Sequence, residues 1–120
     1  MTVVVKDNGF GIKNVIIDEP KTYNSLSFKT LNILIDVFKR LERDNKTQVI
    51  ILSGNGKGFS AGHNLKEVKN LKIRSKYLKL FNLCSKLMLN IVEGRKPVIA
   101  KVHGSAFAAG CQLAASCDLA

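Results

Sequence analysis

An α/β layered fold is what the pattern of this chain predicts, and three observations carry the prediction. Short runs of β-branched residues alternate with longer stretches whose apolar residues recur at helical spacing. One run, Gln48 to Leu52, is almost entirely apolar, as expected for a strand in the middle of a sheet. That run breaks at the alternating glycines Gly54, Gly56 and Gly58, turns through Ala61-Gly62, and re-enters a helical pattern at Asn64 to Glu67. A buried strand, a tight turn and a helix start are the physical reading of that stretch. Glycines there let the backbone approach a ligand, and the first N–H groups of the following helix lack internal partners, a natural place for an anion or a developing oxyanion.

Taken in order, Val3 to Val5 and Gly11 to Ile17 read as two short strands around Asp7-Asn8-Gly9, with Pro20 closing the second. Ser25 or Ser27 can cap a helix whose apolar face is Leu31, Leu34, Ile35, Phe38 and Leu41, ending among Arg43, Asp44 and Asn45. After the glycine turn, Tyr77, Leu80, Phe81, Cys84, Leu87, Met88 and Ile91 mark a second long amphipathic helix. Gly94 fits its stop and Pro97 prevents its continuation. Val98 to Val102 is another short strand, and the small residues Ala106 to Ala115 predict a closely packed helix beyond Gly104. The order is strand, strand, helix, strand, turn, helix, strand, helix. At Cys117-Asp118-Leu119 the pattern leads toward a further strand, so the chain reads as incomplete.

Bulk properties narrow the possible functions. At 120 residues the chain is at most one ordinary domain, enough to bury roughly two thirds of its unfolded surface. Hydrophobic residues at 46% and charged residues at 23% are globular values, without repeats or low-complexity segments. A net charge of +10 favours anionic partners, but the lysines are scattered from Lys6 to Lys101 and form no basic block, which speaks for a solvated surface rather than nucleic-acid binding. No window approaches the roughly 18 apolar residues of a membrane helix, and Val3-Val4-Val5 is too short for a signal-peptide core. Cys84, Cys111 and Cys117 lack metal-site spacing and read as reduced thiols; the expected compartment is cytoplasmic.

Three places together resemble the enoyl-CoA hydratase/isomerase (crotonase) family. They are Pro20-Lys21-Thr22-Tyr23-Asn24-Ser25-Leu26, the stretch Gly56 to Glu67, and Lys96-Pro97-Val98-Ile99-Ala100-Lys101-Val102-His103-Gly104 running on through Ala109-Gly110-Cys111-Gln112 to Cys117-Asp118. The similarity covers nearly all of this chain and matches the N-terminal part of such proteins. It implies a spiral of strand-strand-helix turns, truncated here, in one domain whose C-terminal part is absent. It also implies a coenzyme A thioester as substrate, with no bound cofactor or metal. Carried over by position, the backbone N–H groups of His63 and Ala109 would hold the thioester carbonyl oxygen. Ala61, His63, Asn64, Leu65, Lys66 and Ala109 would line the acyl-CoA site, and Lys21 lies in the loop that meets the CoA moiety. The family often forms homo-oligomers, through segments that belong mainly to the C-terminal part.

Two chemical departures follow from the same resemblance. Gln112 stands where hydratases of the family carry a glutamate, and an amide can orient water but cannot usefully exchange a proton. The family's second glutamate falls beyond residue 120. Ala109 replaces a usual glycine, which a backbone donor tolerates if φ is negative, and Asn64 replaces a frequent aspartate. Three alternatives therefore stand beside an active enzyme: a truncated, inactive gene product, a non-catalytic acyl-CoA binder, and an RNA-binding module. The glycine run also matches a relaxed dinucleotide fingerprint, but the region where a second strand should end in an acidic residue is lysine-rich. His63 and His103 have no carboxylate or cysteine at ligand spacing, so a metal pair is not expected.

Overall fold

The computed structural model describes all residues from Met1 to Ala120. Four strands, β1 (Val3–Asp7), β2 (Ile12–Ile17), β3 (Val49–Gly54) and β4 (Val98–Lys101), form one sheet in sequence order. β1 and β2 are an antiparallel hairpin with Val5 opposite Val15, while β2–β3 and β3–β4 are parallel, pairing Val15 with Leu52 and Leu52 with Ala100. The hairpin turn is longer than Asp7-Asn8-Gly9 alone. Gly9, Phe10 and Gly11 all have positive φ, and Asp7 anchors the turn by accepting the Gly9 N–H at 2.8 Å. A Cβ at Gly11 would lie 2.9 Å from the Lys46 carbonyl, so the turn is pressed against the start of β3.

Parallel pairs need long crossovers, and helices supply them. α1 (Phe28–Arg43) joins β2 to β3; Ser27, not Ser25, is its cap, its hydroxyl accepting the Thr30 N–H at 3.1 Å. The second crossover contains two helices where the sequence predicted one long helix after a helical restart. A short α2 (Leu65–Asn70) precedes α3 (Arg74–Glu93), separated by Leu71-Lys72-Ile73. Gly94 ends α3 as expected, though not in a left-handed conformation: its φ is −64°, and a Cβ there would lie 2.8 Å from the Asn90 carbonyl. Glu42 Oε1, at the end of α1, accepts the Arg95 N–H at 2.9 Å and so links the ends of the two long helices.

The side chains of Val3, Val15, Ile17, Ile50, Leu52, Val98 and Ala100 share one face of the sheet, and all are buried with Leu31, Leu34, Phe38, Leu80, Leu87, Ile91 and Leu113 of the helices. Ile12, Ile16, Ile51 and Ile99 alternate onto the opposite face and are only half-buried. The small-residue helix, α4 (Ala109–Ser116), begins three residues later than its composition suggests. Ala106 is held in a parallel bridge with Ser60, and Phe107 N–H donates to the Ser60 carbonyl at 3.0 Å, so these residues are extended rather than helical. Beyond α4, Leu119 bridges Ile99 in parallel, continuing the sheet beside β4 as the pattern at Cys117-Asp118-Leu119 predicted. No helix is long and apolar enough to cross a membrane.

Candidate functional site

Two loops leave the same end of the sheet, 55–64 after β3 and 102–108 after β4, and a short ladder holds them together. Phe59 N–H donates to the Ser105 carbonyl at 3.0 Å, and the Ser60–Ala106 bridge follows. Two glycines make this approach possible. A Cβ on Gly104 would collide with the Lys57 carbonyl, and one on Gly110 with the Ser60 carbonyl. A third segment, the 3-10 turn Pro20–Thr22 with Tyr23 and Asn24 both in the left-handed region, packs beneath the glycine loop. The buried Asn24 side chain donates to the Asn55 and Gly58 carbonyls at 2.8 and 2.9 Å and accepts the Glu19 N–H at 2.8 Å. Ser60 Oγ donates to the Asn24 carbonyl at 2.8 Å and accepts the Gly62 N–H at 3.2 Å.

This scaffold brings His63 and Ala109 together. Gly62, at φ +91°, sits against the start of α4, where a Cβ on it would lie 3.2 Å from the Ala109 nitrogen. Neither the His63 N–H nor the Ala109 N–H donates to any backbone or side-chain acceptor. Ala109 is the first residue of α4, so its free amide lies at the positive end of an eight-residue helix. His63 departs from the expectation that its amide opens a helix. Asn64 occupies the cap, its Oδ1 accepting the Glu67 N–H at 3.1 Å, which leaves His63 one residue outside α2. Its freedom comes from the turn, not from the helix end. Ala109 does not have the positive φ that would make alanine costly there; the positive φ falls on its neighbour Ala108, at φ +49° and ψ −119°.

The remaining expected residues lie around His63, and Ala109 lines neither of the two hollows found there. Lys21, Ser25, Ala61, His63, Asn64, Leu65 and Lys66 line one open hollow of about 300 Å³. A second hollow of about 320 Å³, lined by Tyr23, Lys57, Gly58, Ala61, Ser105 and Phe107, lies on the other side of Ala61. Lys21, Leu65 and Lys66 are exposed, with Leu65 at 81%. The His63 ring packs edge-on against Phe81 at 5.5 Å, and its Nδ1 lies 3.4 Å from the Leu26 carbonyl. Gln112 is exposed one turn along α4 from Ala109, and its side chain has no hydrogen-bond partner. No Asp or Glu lines either hollow. Asn24, Ser60 and His103 were given no role by sequence reasoning. Asn24 and Ser60 lie inside motifs already singled out, but their partners are 31 to 36 residues away.

Known proteins now give the arrangement its class. Residues 7–120 match the profile described as enoyl-CoA hydratase/isomerase, and this chain belongs to that family. Human mitochondrial enoyl-CoA hydratase domain-containing protein 3 is 44% identical over 110 residues, covering 92% of this chain and 36% of its own length. The Xenopus laevis protein of the same name is 40% identical over 120 residues, covering all of this chain and 40% of its own. The crystal structure of an enoyl-CoA hydratase from Mycobacterium smegmatis superposes with a TM-score of 0.96 at 39% identity, over 99% of this chain and 46% of that one. The fold is thus the crotonase fold that the sequence suggested. The chain spans about two fifths of the length of these curated relatives and under half of the solved chain.

Proposed function

We propose that this chain holds an acyl-CoA thioester whose carbonyl oxygen accepts hydrogen bonds from the N–H groups of His63 and Ala109. The observation that carries this reading is that two amides without acceptors flank Gly62: His63 follows it in the chain, and the Ala109 nitrogen lies 3.2 Å from where a Gly62 Cβ would stand. Amides left without an acceptor in a folded chain are ready donors, and a neighbouring pair is suited to an oxygen that gains negative charge. One such donor is typically worth about 10²–10³ in rate when the thioester becomes enolate-like. Ala61 and Gly62 keep the approach free of side chains, while Lys21 and Lys66 offer positive charge to the phosphates of CoA.

The chemistry assigned to residues 1–120 is binding and polarisation of the thioester. Adding water across an enoyl double bond also needs a proton donor and acceptor. Gln112 can orient a water molecule but cannot exchange its proton, and neither hollow contains a carboxylate. Gln112 is the specific observation favouring a second reading, an acyl-CoA binder that does not turn its ligand over. A crotonyl-CoA complex that keeps its enoyl-thioester absorbance supports that second reading; loss of the absorbance supports hydratase chemistry.

The backbone-donor reading has its own test. His63→Pro removes the N–H and should weaken crotonyl-CoA binding by at least about tenfold. His63→Ala keeps the N–H and should stay within about twofold of the parent. Titration calorimetry measures both, with the unliganded unfolding midpoint checking that each variant is folded. Equal losses in folded Pro and Ala variants would defeat the reading.

A further inference from the structure

We infer that His103 is a positioning residue, a latch that sets the spacing between the two amide donors. The inference rests on the thioester reading above and adds to it a residue that touches no ligand. His103 follows β4 directly, and its Nε2 lies 2.6 Å from the carbonyl oxygen of Gly56, 47 residues earlier, in the loop after β3. A carbonyl only accepts, so Nε2 carries the proton, as it does in the imidazolium and in one neutral tautomer. This is the one side-chain hydrogen bond joining the loop that leads to His63 with the loop that leads to Ala109.

Its place in the ladder gives it leverage. Going outward from the sheet, the two loops meet at His103–Gly56, then at Gly104 against Lys57, then at the Phe59–Ser105 bond, the Ser60–Ala106 bridge and the Phe107–Ser60 bond. The donors follow close beyond the last rung, His63 three residues after Ser60 and Ala109 two after Phe107. Gly56 is at φ +87°, which glycine adopts at no steric cost, so backbone strain does not fix this turn and its hydrogen bonds do. Without the latch, the side-chain hydrogen bonds that hold the first turn of the glycine loop come from Asn24 and Asn55, and neither of them reaches the loop after β4. A small slip between the loops would separate two donors that must meet one oxygen, and such geometry tolerates little error.

The test separates positioning from general support. His103→Phe keeps a ring and removes the donor, whereas His103→Gln places an amide N–H at similar reach. For each chain the affinity for butyryl-CoA is compared with that for S-butyl-CoA, a thioether of the same length without the carbonyl oxygen. The parent should prefer the thioester; His103→Phe should lose about three- to tenfold of that preference, and His103→Gln should recover it. Hydrogen exchange of the Phe59 and Ser60 amides in the unliganded chains should accelerate in His103→Phe and return to parental rates in His103→Gln. Equal weakening of both ligands, an unchanged preference, or unchanged exchange would each overturn the latch. A parent that shows no preference for the thioester, with exchange still responding to His103, would instead overturn the carbonyl-donor reading and leave His103 as loop support only.

Discussion

Ala108 carries the clearest single-residue signature of the site. At φ +49° and ψ −119° an alanine pays a steric penalty that glycine would not, of about 1–3 kcal/mol. Ala108→Gly should therefore stabilise the chain by about 1 kcal/mol, once the greater freedom of glycine in the unfolded state is set against the relieved strain. Gly62→Ala tests the same contact from the other side: at φ +91°, with a new Cβ 3.0 Å from the Phe107 carbonyl, it should cost about 2 kcal/mol or more. Urea midpoints of both variants decide this, and a destabilised Ala108→Gly would mean the strain is not there. His63, Ala109 and Gln112 could be singled out in the sequence because each lies within a local motif. Ala108 was not, since its conformation is imposed by Ser60 and Gly62 on another loop. His103 and Asn24 escaped for the same reason: each hydrogen bond that matters spans 31 or more residues.

Among the elements, caps separate what was readable from what was not. Ser27 and Asn64 each satisfy an amide in the first turn of the helix they open, and both stand before helical apolar spacing in the sequence. α3, the longest helix, has Ile73 at its cap position, with no side-chain acceptor and no acidic residue in its first turn. Ile73 already has the extended backbone of a cap, φ −125° and ψ 142°, and is 55% exposed. Ile73→Asp should thus add about 1 kcal/mol by accepting a free N–H and opposing the helix dipole. Chemical denaturation should show a higher midpoint with an unchanged slope; no rise would mean that α3 frays regardless of its cap. The late start of α4 marks the opposite limit. Ala106 to Ala108 have helical composition, and only the pairing of Ser60 with Ala106 and Phe107 draws them out of the helix. No local propensity records a pairing across 46 residues.

At the scale of the whole molecule, one sheet face is sealed and the other is not. The accessible surface is 7292 Å², against roughly 6400 Å² expected for a compact protein of 13.2 kDa. Part of the difference lies where Ile12, Ile16, Ile51 and Ile99 are half-buried opposite the helices. An open apolar face leaves less burial to offset chain entropy, so the unliganded chain should unfold at the low end of the range for domains of its size. Ligand binding then becomes easy to detect. The proposed thioester site draws on residues 21–26, 57–66 and 103–112, three segments distant in sequence, and an occupant that bridges them acts only on the folded state. At about 100 times its dissociation constant a ligand adds roughly 2.7 kcal/mol. With an unfolding entropy near 0.25 kcal/mol per kelvin for a chain this long, the midpoint should rise by roughly 10 °C. Crotonyl-CoA in thermal unfolding of the 120-residue chain should give that rise, whereas free CoA, which lacks the acyl group and its thioester carbonyl, should give distinctly less. Equal shifts with both would locate the binding energy in the phosphates and lysines and remove the amide pair from the account. A cooperative transition indifferent to either compound would sink the proposed binding altogether.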